Sequence, residues 1–132
     1  MPAIAVDFAR NRQTMVECQI RTFDVTDQPL LERFLDVPRE NFVGPDNQAA
    51  AYSDKLLTVE GDAPRAMLRP LVLARLLQAA RPEAADRALV VGAATGYSTA
   101  LIAGLVREVI ALDRAAGLAA AAETNLKGFA NV

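Results

Sequence analysis

The sequence has no histidine, no tryptophan, a single cysteine and only 5% aromatic residues. Without histidine there is no Ser-His relay and no imidazole ligand for a metal, and one thiol, Cys18, cannot build a zinc site. A lone cysteine also closes no internal disulfide, which suits a reducing, cytoplasmic setting. Acidic and basic residues nearly cancel, at a net charge of −2. That gives no electrostatic case for binding nucleic acid or an acidic membrane surface. No apolar run reaches the length of a membrane span, and the first residues lack a basic-then-apolar leader pattern. The expectation is a protein with no metal, no nucleic-acid partner and no membrane segment.

What is present is one domain's worth of chain, 132 residues, of which 52% are apolar. Much of that apolar content is alanine, which buries little area per residue. The chain is organised around Ala88 to Asp113. Ala88-Leu89-Val90-Val91 is a short apolar run bounded by Asp86 and Arg87, and reads as a buried strand. Gly92-Ala93-Ala94-Thr95-Gly96-Tyr97 follows as a glycine turn, then Ser98 to Leu105 with helical composition. Val109 to Leu112 reads as a second buried strand and stops at Asp113. Strand, glycine turn, helix, strand and acid, in that order, open a nucleotide-binding α/β fold.

The order has a physical reason. A helix that starts after the turn points its free N–H groups back at the loop, where an anionic group can sit. Glycine permits the sharp turn and a close approach of ligand to backbone. Asp113 comes about 20 residues after Gly92, where a carboxylate can accept hydrogen bonds from ribose hydroxyls. The bland alternative is a plain β-α-β unit with a glycine turn and a surface aspartate. The dinucleotide fingerprint needs glycine at the first, third and sixth positions. Those are Gly92, Ala94 and Tyr97, so only the first fits. A phosphate-binding P-loop needs a lysine that is absent here.

The rest of the chain reads mostly as helix and loop. Asp7 to Thr22 is predicted helical, with Phe8, Met15, Val16, Gln19 and Ile20 on one stripe. Cys18 within it reads as a small packing residue rather than a reactive thiol. Asp27 or Thr26 caps a second helix with Pro29 in its first turn and Leu30, Leu31, Phe34 and Leu35 inward. It ends before Pro38, and Pro38 to Phe42 forms a short helical turn. Residues 43–67 read as irregular: a turn at Gly44 to Asn47, one helical turn at Ala49 to Tyr52, a short strand at Lys55 to Val59, and a stop at Glu60 to Pro64. So long a loop is either functional or a wrap around the sheet. A helix over Leu68 to Ala80 is expected to use Leu68, Leu71, Val72, Arg75, Leu76 and Ala79, and Arg81-Pro82 stops it. Ala115 to Lys127 reads as an alanine-rich helix ended by Gly128. Asn131-Val132 leads toward a third strand.

Two regions are therefore expected: residues 1–86, helical and on the substrate side, and residues 87–132, a partial β-α-β-α unit. Two strands are few for such a sheet and leave an apolar edge open. The expectation is a fragment of a longer protein, or an edge covered by a partner, with self-association through that edge.

Several segments carry a resemblance. A first, third and fifth glycine spacing would be Gly92, Ala94 and Gly96, with only the middle glycine lost, and is similar to the loop of S-adenosylmethionine-binding methyltransferases. Met15-Val16-Glu17-Cys18-Gln19-Ile20-Arg21, Val37-Pro38-Arg39-Glu40-Asn41-Phe42-Val43 and Ala51-Tyr52-Ser53-Asp54 resemble segments of the protein-L-isoaspartate O-methyltransferase family. The resemblance spans most of residues 15 to 130 and lacks the family's C-terminal half. It implies the N-terminal half of a Rossmann-like α/β methyltransferase fold, a helical region followed by the β-α-β unit. It also implies S-adenosylmethionine as cofactor, contacts from Gly92, Ala93, Ala94, Gly96 and Tyr97 at the methionine end, and Asp113 on the ribose. The acceptor it implies is a protein or peptide carrying isoaspartate, whose free carboxylate is methylated in a repair pathway. Tyr52 and Asp54 then fall on the substrate side, their alternatives being a tyrosine packed under a loop and an aspartate capping a turn.

One segment departs from that pattern. The family carries a Thr-x-Ser-x-Pro segment whose hydroxyls hold the substrate carboxylate. Anchored on Pro70, the matching positions are Ala66 and Leu68, so both hydroxyls are gone and no catalytic residue is assigned. Three readings stay open: a protein carboxyl O-methyltransferase with an altered acceptor, a non-catalytic relative that binds S-adenosylmethionine or S-adenosylhomocysteine, and an interaction domain that keeps only the fold. In each, the 132-residue chain alone is expected to be inactive, because the rest of the sheet and the substrate wall is missing.

Overall fold

The computed structural model describes residues 3–59, 61–62 and 64–132. The chain turn expected at Glu60 to Pro64 lies partly outside them, at Glu60 and Ala63. Asp7 starts the first helix, α1 (Phe8–Thr14), by accepting the Arg10 N–H at 3.0 Å. The expected single helix to Thr22 does not persist. It widens into a π-helical turn at Met15–Ile20, where the Arg21 N–H reaches back to the Val16 carbonyl, and tightens to 3-10 at Arg21–Phe23. The widened turn keeps Met15, Val16 and Ile20 buried, and Glu17 and Cys18 come out on the opposite side. Cys18 is exposed and is not the packing residue expected.

Helix α2 (Gln28–Asp36) follows expectation. The Asp27 carboxylate caps it through the Leu30 N–H at 2.9 Å, and Leu30, Leu31 and Phe34 are buried. Two 3-10 turns, Arg39–Phe42 and Pro45–Ala50, lead to a hairpin of β1 (Leu57–Val59) and β2 (Arg65–Met67). The pairing runs Leu57 with Met67, Thr58 with Ala66 and Val59 with Arg65. Strand β2 falls in the stretch that reads as irregular, because three residues are too few to show a period.

Helix α3 (Pro70–Ala80) starts two residues later than expected, after Arg69, and ends at Arg81 in the left-handed conformation. Its buried residues are Pro70, Leu73, Ala74 and Leu77. Val72, Arg75, Leu76 and Ala79, expected inward, lie on the exposed side. Two interleaved apolar stripes compete on this helix, and the N-terminal helices took the other one.

Strands β3 (Arg87–Val91) and β4 (Glu108–Leu112) pair in parallel, from Arg87 with Glu108 to Val91 with Leu112, and α4 (Tyr97–Ala103) makes the crossover. Helix α5 (Ala116–Asn125) ends at Leu126, short of the expected Lys127, and Gly128 does not cap it. The strands read as buried but are only half so. Val109 faces the core beside Ala103 and Val106, with Ala88 and Val90 packed against them. Leu89, Val91, Ile110 and Leu112 point the other way and are 52 to 72% exposed. One face of the sheet is covered by helix and the other is open.

Asn131 does not begin a strand among the described residues. Its carbonyl accepts the Val109 N–H at 2.9 Å on the free edge of β4, and its side-chain amide donates to the carbonyls of Ala103 and Val106 at 2.8 and 3.2 Å. The larger apolar cluster among the described residues runs from Met15 and Ile20 through Phe34 and Leu73 to Leu101, Leu118 and Leu126, so residues from both expected regions pack together. Among the described residues no helix is long and apolar enough to cross a membrane.

Candidate functional site

The glycine turn is left-handed at alternate positions: Gly92 at φ +75°, Ala94 at +50° and Gly96 at +98°. Glycine meets the first and third without strain. Ala94 carries a Cβ there at a cost of about 1–2 kcal/mol. The loop spends most of its donors on the end of β4 and the acid beyond it. Gly92 and Ala93 N–H both reach the Leu112 carbonyl, at 2.8 and 3.1 Å, and Gly96 N–H reaches Ala93. The Ala94 N–H goes to Asp113 at 2.9 Å. The donors expected at the helix start do remain, since the N–H groups of Tyr97, Ser98 and Thr99 in the first turn of α4 meet no acceptor among the described residues. The carbonyls of Gly92 and Ala94 accept no hydrogen bond among the described residues. The turn thus offers carbonyls, which attract a cationic group, next to helix N–H groups, which attract an anionic one.

Asp113 stands at the tip of β4 beside this loop, its side chain only 1% exposed. Its carboxylate takes four hydrogen bonds. Oδ1 accepts from Ala115 N–H and Arg65 Nη2, both at 2.9 Å, and Oδ2 accepts from Ala94 N–H at 2.9 Å and Arg65 Nη1 at 3.0 Å. Burial by itself pushes this carboxyl's pKa up. The Ala115 and Ala94 N–H groups and the Arg65 cation outweigh that and hold it below the usual carboxylate range. Arg65 was not a sequence candidate. It sits on the strand that reads as loop, 48 residues from its partner, and nothing local marks it.

A cleft of about 230 Å³ opens over the turn, lined among others by Ala66, Leu68, Gly92, Ala94, Tyr97 and Ser98. The fold thus brings the hydroxyl-less positions Ala66 and Leu68 against the glycine turn. A wider groove of about 760 Å³ runs on the other side of the loop, between β4 and α5, and is bounded by Ala93, Asp113, Ala122 and Leu126. Ala93 lines both.

Tyr97 is 3% exposed at the base of the cleft, its ring packed on Phe34 and Phe42 with the Arg39 guanidinium 4.8 Å from its centre. Burial pushes its hydroxyl up to about 12, against the nearby Arg39 cation. Arg39 is fully buried and donates to the carbonyls of Ala51 and Leu68 at 2.7 and 3.0 Å. Burial lowers its pKa from the usual arginine value, with Tyr97 and Tyr52 opposing. It ties the cleft wall at Leu68 to the loop at Ala51.

Tyr52 and Asp54 are not among the residues lining the cleft. The Tyr52 hydroxyl donates to Glu40 and accepts from Arg12 Nε at 2.8 Å and the Arg39 N–H at 3.1 Å. Asp54 is exposed and holds Arg69 through two bonds at 3.0 and 2.9 Å. Thr95 fastens the glycine turn by donating to the Phe42 carbonyl at 2.8 Å, and the Asn125 amide donates to the Thr95 carbonyl. No group of three or more potential metal ligands occurs among the described residues.

A parallel strand pair joined through a left-handed glycine turn and a helix, with an acid at the second strand's tip, is the architecture of the nucleotide-binding α/β class. Comparison with known proteins narrows this. The chain belongs to the protein-L-isoaspartate(D-aspartate) O-methyltransferase family, whose model matches residues 10–131. It is 35% identical over 127 residues to the protein-L-isoaspartate O-methyltransferase of Koribacter versatilis, covering 95% of this chain and 56% of that protein. The namesake of Methanoregula boonei is 32% identical over 115 residues, covering 87% and 52%. The chain thus spans about half the length of the relatives it matches.

Solved structures agree on the fold. A protein-L-isoaspartate O-methyltransferase superposes with a TM-score of 0.80 at 22% identity, over 92% of this chain and 40% of that one. The Plasmodium falciparum relative, solved with S-adenosyl-L-homocysteine, gives 0.68 at 21% identity, over 91% and 56%. The fold is thus the partial Rossmann-like one that the resemblance implies.

Proposed function

We propose that this chain forms the S-adenosylmethionine-binding half of a methyltransferase whose acceptor is a carboxylate of the isoaspartyl type. The supporting observation is an acid, Asp113, with its side chain sheltered beside a left-handed turn that leaves the Gly92 and Ala94 carbonyls free next to the helix start of α4. The fit is chemical. S-adenosylmethionine presents ribose hydroxyls, which an aspartate accepts, a cationic sulfonium and ammonium, which carbonyls attract, and a carboxylate, which the N–H groups of a helix start attract.

Asp113 would hold the ribose, and Gly92, Ala93, Ala94 and Gly96 would take the methionine end, with Tyr97 beneath. When bound, the group supplies an activated methyl. The protein's part is then to position a carboxylate nucleophile in line with it and to exclude water. Ala66 and Leu68 offer no hydroxyl to that carboxylate, and an unpaired charge against leucine is costly. That observation favours a second reading, binding of S-adenosylmethionine or S-adenosylhomocysteine without transfer.

A protein or peptide bearing isoaspartate is the partner proposed under the first reading. The open sheet face and edges support self-association, and a single exposed thiol, Cys18, suits a cytoplasmic setting.

Calorimetric titration of S-adenosylmethionine and S-adenosylhomocysteine into the chain tests the binding. Micromolar association that Asp113→Asn weakens by roughly 1.5–3 kcal/mol is expected, the cost of losing charge-assisted hydrogen bonds. No binding, or equal binding by the variant, would overturn the assignment. Methylation of an isoaspartyl peptide by the longer protein then separates transfer from binding alone.

A further inference from the structure

The two Arg65 bonds to Asp113 have no place in a site that is ready for a nucleoside. An ionised carboxylate offers about four acceptor positions, and all four on Asp113 are taken. Two belong to backbone N–H groups, of Ala94 and Ala115, which the turn and the start of α5 hold in place. The other two come from one flexible side chain. Its guanidinium also lies over the turn, since a Cβ on Gly92 would stand 3.3 Å from Arg65 Nη1. The arginine side chain is 24% exposed and covers the aspartate, whose side chain is 1% exposed. Arg65 is also the first residue of β2, paired with Val59 at the turn end of a three-pair hairpin.

We infer that Arg65 is an affinity-determining residue of the nucleoside site, a built-in competitor that must leave Asp113 before ribose hydroxyls can bind there. The inference rests on the reading of Asp113 as the ribose acid. Occupancy of the site then requires a swing of the arginine, and the free chain holds the closed arrangement. Two consequences follow for the protein without its competitor. Loss of the guanidinium leaves the carboxylate with backbone partners only and removes two charge-assisted hydrogen bonds, so the unliganded protein is less stable. The same loss opens two acceptor positions, so a nucleoside binds more tightly and raises stability more.

The test uses the full chain and S-adenosylhomocysteine as probe, with calorimetry for affinity and thermal unfolding with and without ligand. Arg65→Ala should unfold at a lower temperature than the parent when free and show a larger ligand-induced rise. It should bind about tenfold more tightly, the scale of one charge-assisted pair. Arg65→Gln is shorter and neutral but keeps a donor and should fall between the two, which preserves the test if the alanine variant fails to fold. If the parent binds and the variants bind equally or more weakly, Arg65 is no competitor and the inference fails while the cofactor site stands. If neither parent nor variants bind, the assignment of Asp113 fails, and the inference with it.

Discussion

Two substitutions in the glycine turn should move stability in opposite directions, three positions being identical in handedness but not in side chain. At Gly96 the backbone has φ +98°, and an added Cβ would stand 2.9 Å from Leu126 Cδ1 and 3.1 Å from Leu126 Cγ. Left-handed strain costs about 1–2 kcal/mol. Overpacking against a buried leucine adds roughly 1–3 kcal/mol. Stiffening of the unfolded chain returns about 0.4–1 kcal/mol. Gly96→Ala should therefore destabilise by roughly 1–4 kcal/mol.

At Ala94, with φ +50°, the arithmetic reverses. Removing the Cβ relieves about 1–2 kcal/mol of strain and loses about 0.4–1 kcal/mol to the more flexible unfolded chain. Ala94→Gly should be neutral to about 1 kcal/mol stabilising. Urea unfolding followed by circular dichroism reads both, with unchanged m-values as the check that the unfolded state is comparable. A neutral Gly96→Ala, or an Ala94→Gly that destabilises by more than about 1 kcal/mol, would refute the conformational argument.

Three further predictions concern groups outside the turn. The Asp113 carboxyl is held below the usual range, so its contribution is fully present above the unfolded value of about 3.9 and is lost as pH falls from there through the folded value; Arg65→Ala should flatten the acid limb of stability below about pH 4, and an unaltered limb would show that the arginine does not stabilise the ionised acid. Tyr52→Phe removes the hydroxyl that accepts the buried Arg39 N–H and should cost about 1–3 kcal/mol in urea unfolding; a change near zero would mean the Arg12–Glu40 pair closes the gap alone. Light scattering should show mass rising with concentration, less so after Ile110→Lys on the open sheet face. A monomer at tens of micromolar would refute association.

The β-α-β unit is legible in the chain because its signals are local. Apolar runs, a glycine turn and a terminal acid fall within one stretch, and the structure reproduces their order with boundary shifts of a residue or two. The Asp27 cap and the inward face of α2 are equally local. The inward face of α3 was not, because Leu68, Leu71, Val72, Leu76 and Leu73, Ala74, Leu77 make overlapping stripes on one cylinder. Only the neighbour that packs there selects between them. Cys18 shows the same limit, since a π-turn of one extra residue decides which side of the helix it takes. The hairpin was missed for want of length.

The sequence by itself determined the family, the turn and the acid, since those depend on residue type at fixed spacing. Tertiary structure alone decided what surrounds them. It set Ala66 and Leu68 against the turn, and it left one face of β3 and β4 without a cover. It placed the Arg65 guanidinium on Asp113 across 48 residues of chain. Such a pair depends on where two distant backbones come to rest, and the residues between carry no record of it.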